Sequence, residues 1–195
     1  MIAATETQIL TESLAKPMRI CLRILALTLM LAVAGWAQES GLVVEAHAVT
    51  ATDAAHADTA IKIAVVAQVA GGFHINDHKP SLDYLIPTQI KLDPSDQFTL
   101  KSTIYPPGVL KKLPFFDTPI SVYEGNFVVG AVLQAAKTVA LGTYTLHGKF
   151  SYQACNDHAC LPPTSVPLAI AIKVVPANVP LKTVETDVFR RIKFQ

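Results

Sequence analysis

Apolar residues recur at every second position along three stretches of this chain, and that period belongs to strands with one buried face. Ile61, Ile63, Val65, Ala67 and Val69 form one stripe, with Lys62 and Gln68 on the other side. Phe98, Leu100 and Ile104 alternate with Gln97, Thr99, Lys101 and Thr103, and Val166, Leu168, Ile170, Ile172 and Val174 form a third stripe. Gly41 to Val49 reads as a further short strand, and Thr50 to Thr59 as a flexible connection. Prolines and Asp/Asn/Gly clusters interrupt the runs at Pro80, Pro87, Asp93-Pro94, Pro106-Pro107-Gly108 and Pro162-Pro163. No segment of ten or more residues carries a helical stripe. Short strands separated by turn signals predict an all-β chain folded as a β-sandwich.

The first 37 residues read as a secretory signal. Arg19 and Arg23 supply a basic start, Ile24 to Ala34 is an apolar run without charge, and Gly35-Trp36-Ala37 places small residues where a signal peptidase reads. The polar stretch ahead of Met18 is unusual for a signal, which makes Met18 an alternative start. The apolar run falls short of the roughly 20 residues that a membrane-spanning helix needs, so cleavage is expected in place of an uncleaved anchor. Cys21 precedes the apolar run, which argues against a lipoprotein anchor. Removal of residues 1–37 takes three basic and two acidic residues from totals of 16 and 15, leaving 13 of each in a 158-residue chain. A neutral balance gives no electrostatic reason to expect nucleic acid as a partner. The expected organisation is signal 1–37, one domain over 38–175, and an extended tail over 176–195 in which Val188, Phe189, Ile192 and Phe194 are available to dock.

Export places the two remaining cysteines, Cys155 and Cys160, in an oxidising compartment. They stand five positions apart, so they are expected to meet, in a disulfide or at a metal. In Thr143 to Ala154 the residues Tyr144, Leu146, Phe150, Tyr152 and Ala154 share one face, and Cys155 follows in phase with the polar face. Asn156 to Ala159 reads as a tight turn, so the pair is expected to close a surface hairpin and not to staple a core. Closing a ring of about six residues stabilises by roughly 2 kcal/mol, against about 4.7 for a 100-residue loop, so structural need for the bond is small. Short, exposed disulfides are also the more readily exchanged ones. A metal site needs more ligands than the pair provides: His158 would have to join both sulfurs inside one turn, and no second cysteine pair completes a tetrahedral set. His74 and His78 are the other imidazoles near a motif, but GFHINDHKP is proline-bounded and reads as a sandwich loop.

Five segments together carry a family resemblance: GFHINDHKP (72–80), YLIPTQIKL (84–92), YPPG (105–108), VYEGNF (122–127) and YQACNDHACLPPT (152–164). In this order they resemble the N-terminal periplasmic domain of DsbD-type thiol:disulfide interchange proteins, from about Gly41 to Val175. The resemblance implies an immunoglobulin-like β-sandwich with a redox-active pair on an exposed hairpin. It implies that Cys160 forms the mixed disulfide with a partner and that Cys155 resolves it. It implies a cap loop over the sulfurs, for which Lys112 to Asp117 stands in the corresponding place, with Phe116 as the covering ring and Phe115 and Asp117 beside it. Asp157 and His158 are candidate modulators of thiol acidity; in isolation such turn residues more often bond their own backbone. No cofactor and no metal are implied. In the full-length family a membrane region and a thioredoxin-like domain follow this domain. The present sequence ends at Gln195, so a thioredoxin-like or membrane-embedded thiol donor acting in trans is expected, with periplasmic disulfide-carrying proteins as clients. The competing expectation is a non-enzymatic periplasmic binding or assembly module with an inert hairpin disulfide.

Overall fold

A computed structural model of the chain describes residues 42–194 apart from Phe115. The expected signal segment, with Met18 and Cys21, lies outside the described residues. Over the described residues the architecture is nearly all-β, 50% strand and 3% helix, and forms an immunoglobulin-like β-sandwich.

The first sheet contains β1 (Val44–Thr50), β2 (Ala60–Val69), β5 (Phe98–Ile104) and β8 (Asn126–Ala135), in the antiparallel order β1-β2-β8-β5. The second contains β4 (Gln89–Leu92), β9 (Gly142–Tyr152) and β11 (Thr164–Val174), in the order β11-β9-β4. Between them lies the core. Ile61, Ile63, Val65, Ala67 and Val69 of β2 are all buried, as are Leu146 and Phe150 of β9 and Leu168, Ile170, Ile172 and Val174 of β11. Period-2 stripes therefore become the two inner faces, as alternation on a pleated strand requires. Pro167 is tolerated within β11 because that strand is an edge of its sheet and need not donate outward.

The segment after β1, expected as a flexible connection, is instead pinned along the outer side of β11. Ala55 N–H donates to the Lys173 carbonyl (2.8 Å), Val175 N–H donates to the Ala55 carbonyl (3.0 Å), and Asp53 and Lys182 exchange bonds of 3.0 and 2.9 Å. Its Ala/Thr/Asp composition carries no strand period, so only the tertiary pairing orders it.

The C-terminal residues dock on the outer face of the first sheet after a short helix, α1 (Thr186–Phe189). Gly130 of β8 lies opposite Ala64 of β2, and a Cβ at Gly130 would stand 2.6 Å from Ile192 Cγ2 and 3.2 Å from Phe194 Cζ. Lys62 Nζ sits 4.9 Å above the Phe194 ring. The glycine leaves the hollow that these side chains fill.

A third, smaller sheet contains β3 (His74–Asn76), β6 (Val109–Lys111), β7 (Ile120–Tyr123) and β10 (Ala154–Cys155), in the order β10-β3-β7-β6. Gly72, at φ +81°, makes the turn from β2 into β3, a conformation that costs glycine least. Ile75, Tyr123 and Ala154 of this sheet join the main core. Its other face is covered by a separate apolar cluster of Leu85, Leu113, Phe116, Ile120 and Val122, with Leu82 alongside.

Substituting Gly130→Val should drive Ile192 and Phe194 off the sheet. Overpacking of this kind costs about 1–3 kcal/mol. Limited proteolysis read by mass spectrometry should then find new cuts after Pro176; an unchanged cleavage pattern would contradict the docking described.

Candidate functional site

β9 ends at Tyr152, and two residues later the chain has left the second sheet to pair with β3 in the third. Ala154 lies opposite Ile75, and Cys155 opposite His74. The turn that follows is closed by backbone bonds from Asn156 N–H to the Ala159 carbonyl (2.9 Å) and from Leu161 N–H to the Ala154 carbonyl (2.8 Å). The Asn156 side-chain oxygen accepts from the N–H groups of His158 and Ala159, both at 2.9 Å. This Asx-type turn returns Cys160 beside Cys155, with their Cα atoms 3.9 Å apart and a disulfide between them. Asn156 was not among the expected site residues, although a turn-favouring side chain between two cysteines is its signal.

The two sulfurs have unequal surroundings. Cys160 is exposed, whereas Cys155 is fully buried. Expectation of a surface clip is therefore corrected at Cys155. Ala154 faces the main core, so Cys155 does face the opposite side; that side is covered in this third sheet. Cys155 shares its face with its register partner His74, and through alternation with Asn76 and Val122, which oppose each other, and with Ile120. Ile120 and Val122 carry the apolar cluster that includes Phe116.

Within the expected cap loop, Phe116 is buried, stands 6.5 Å from the Tyr84 ring between centroids, and donates its backbone N–H to the Leu113 carbonyl at 3.2 Å. Lys112 Nζ donates to the Phe116 carbonyl at 2.6 Å and also to the carbonyl of Asp117. Asp117 is exposed, and Phe115 lies outside the described residues. In the hairpin turn Asp157 and His158 are both exposed. Asp157 acts at a distance, raising the imidazole of His74 toward protonation.

His74 belongs to a strand and not to the loop expected for GFHINDHKP. Three residues are too few to show a period, which hid β3 in the sequence. The His74 ring is buried, and neither nitrogen has a hydrogen-bond partner. Burial lowers its pKa below 6.5, with Lys111 adding to the effect and Glu124 and Asp157 opposing it. His78 is turned elsewhere: it stacks on Tyr105 at 4.3 Å and its Nδ1 lies 2.6 Å from Asp77 Oδ1. Among the described residues no three His, Cys, Asp or Glu side chains gather as a metal-binding set.

Asp77 organises the loop behind β3. Its carboxylate accepts from Ser121 Oγ (2.5 Å), Tyr123 Oη (2.8 Å) and Lys79 N–H (3.1 Å). Burial by itself would raise this carboxyl, but the hydrogen bonds from Ser121, Lys79, Tyr123 and His78 outweigh it and hold Asp77 below its ordinary value. Tyr123 is pushed far above an ordinary phenol by burial and by its bond to Asp77. A Cβ on Gly108 would fall 2.2 Å from Ser121 Oγ and 2.3 Å from Asp77 Oδ2, so the Pro-Pro-Gly turn must carry glycine there. The knot ties the end of β3, β7 and the segment before β6 together.

The described residues form a sandwich that carries, on a small flanking sheet, one exposed and one buried cysteine joined across a six-residue turn, the kind of pair that thiol:disulfide exchange can use. Residues 40–169 match the model of the family described as thiol:disulfide interchange protein DsbD, N-terminal, and the chain belongs to that family. Its fold is similar to that of the N-terminal periplasmic domain of ScsB from Proteus mirabilis, at 14% identity and TM-score 0.52; the alignment covers 81% of this chain and 58% of that one. Other similar structures include the seventh ScaB type I cohesin from Pseudobacteroides cellulosolvens (15% identity, TM-score 0.42, 72% and 97% covered). A complex of the DsbD and PilB N-terminal domains from Neisseria meningitidis also matches (20% identity, TM-score 0.35, 63% and 80% covered). No curated protein matches the chain. Among the described residues no helix is long and apolar enough to cross a membrane.

Replacing Asp77→Asn removes the charge that three donors share, a loss of about 1–3 kcal/mol. Because the folded carboxyl lies below its ordinary 3.8, this contribution is complete above that value and disappears as pH falls through the lower folded one. Acid unfolding followed by fluorescence should show the wild type losing its advantage over the variant only at pH below the ordinary carboxyl value; equal stability at neutral pH would contradict the role of the knot.

Proposed function

We propose that this domain passes electrons by thiol:disulfide exchange in the periplasm, using Cys155 and Cys160 as its redox pair. The observation that carries the reading is the asymmetry of the pair: Cys160 is open to a partner's sulfur, and Cys155 is withdrawn behind it. Exchange runs through attack on one sulfur and departure of the other, so unequal access selects the point of attack. Cys160 forms the mixed disulfide and Cys155 resolves it. A thioredoxin-like or membrane-embedded thiol donor in trans reduces the pair, and periplasmic disulfide proteins are its clients. Cleavage of residues 1–37 releases the domain into that compartment.

Phe116, with Phe115 and Asp117, acts as the cap. Supporting this, Phe116 packs on Ile120 and Val122, which share the face of the third sheet that carries Cys155. Its ring also belongs to an apolar cluster, so opening the cap exposes apolar surface that a docking partner would have to cover. Such a gate keeps unsuited thiols from reaching the buried sulfur.

Equilibrating the folded protein in glutathione buffers should give a reduction potential well above the roughly −300 mV limit of structural disulfides. A value below that limit would leave an inert clip and transfer the reading to a binding or assembly module. With Phe116→Ala, a bulky alkylating reagent should label the reduced pair several-fold faster while circular dichroism stays native. An unchanged rate would confine Phe116 to a packing role.

A further inference from the structure

His74 is used by nothing described so far. It is fully buried with two unpartnered ring nitrogens, and leaving a buried polar group unpaired costs about 1–3 kcal/mol. Such a cost is sustained where a partner arrives in another state of the protein. Cys155 is the register partner of His74, and Cys160 bridges to Cys155 on its other side, so the three residues form a row across neighbouring strands. Directly opposed residues share a face, with Cβ atoms about 4.5–5.5 Å apart. In the disulfide form Cys155 carries no proton. In the mixed disulfide and the dithiol it does.

We propose that His74 is the proton acceptor that turns Cys155 from a buried thiol into a thiolate when it resolves the mixed disulfide held on Cys160. The inference rests on the exchange reading above and deepens it. Burial disfavours a thiolate, so Cys155 without an acceptor would be a weak nucleophile at neutral pH. The charged groups acting on the imidazole are Lys111 of β6, Glu124 just after β7 and Asp157 in the hairpin turn. Lys111 is itself ion-paired with Glu124. Burial keeps the ring neutral and ready to accept, while the two carboxylates favour the imidazolium once the proton has moved.

The step balances as follows. The Cys155 thiol gives its proton to His74 and becomes a thiolate. That thiolate attacks the Cys160 sulfur; the Cys155–Cys160 bond forms as the bond between Cys160 and the client sulfur breaks. The client sulfur leaves with the bond's electron pair and takes a proton from the imidazolium or from water. The client's other thiol has already left during the first attack by Cys160. Two electrons have then passed from the dithiol to the client's disulfide.

The reduced, folded protein can be mixed with an aromatic disulfide whose thiolate is coloured on release. The first equivalent appears as Cys160 attacks, and the second as Cys155 resolves. For the wild type the second phase should be level through neutral pH and fall only below about 6.5, as the imidazole protonates. His74→Phe should slow the second phase about tenfold or more and make it rise about tenfold per pH unit toward the thiol's own pKa, with the first phase unchanged. His74→Gln, which keeps a polar side chain but accepts no proton, should behave like His74→Phe. The wild-type profile needs no variant, so misfolding of one does not rescue the idea. A wild-type second phase that already rises about tenfold per unit through neutrality overturns the assignment. So does a folded variant that resolves at the wild-type rate. If the folded wild-type disulfide resists dithiothreitol, the exchange reading fails first and this inference falls with it.

Discussion

The pairing of Ala154 and Cys155 with β3 is the interaction on which the site depends. Up to Tyr152 the strand belongs to the second sheet and its inward side chains feed the main core. Two residues later the same chain forms the edge of a different sheet. Change of sheet at a corner is a usual device of sandwiches, and here it has a chemical result. It sets Cys155 against His74 on a face that loops cover, while the turn beyond it carries Cys160 out to solvent.

Burial and exposure within one disulfide then follow from what covers each side. Leu82, Leu85, Leu113 and Phe116 lie over the face that holds Cys155, whereas Cys160 is open to solvent. At the far end of β3 Asp77 collects donors from Ser121, Tyr123 and Lys79, which fixes β3 and β7 in register. The polar knot and the apolar cap lie on opposite faces of a sheet whose strands are two to four residues long. Strands that short have little cohesion of their own. Side-chain anchoring is what holds the redox hairpin in one place.

Much of the sandwich was legible because its strands are long enough to repeat. Five alternating apolar positions in β2 and five in β11 leave little freedom in which side faces inward. The Asn156 turn could be read locally, since the side chain bonds backbone two and three residues on. β3, β6 and β10 were not legible, because two or three residues show no period. Local pattern therefore puts His74 in a loop and carries no sign of its pairing with Cys155. Thr50 to Thr59 reads as flexible for the same kind of reason: its order comes from bonds to residues 173, 175, 182 and 184, and no local pattern announces them.

Fold class, membership of a thiol:disulfide interchange family and the closeness of the two cysteines are legible before the chain folds, because each is written in local spacing or in motifs read in order. Which sulfur is buried, what stands beside it and what lies above it are set only by the folded arrangement. Those depend on a strand changing sheets and on residues distant in the chain meeting across it, and period and spacing carry no record of either.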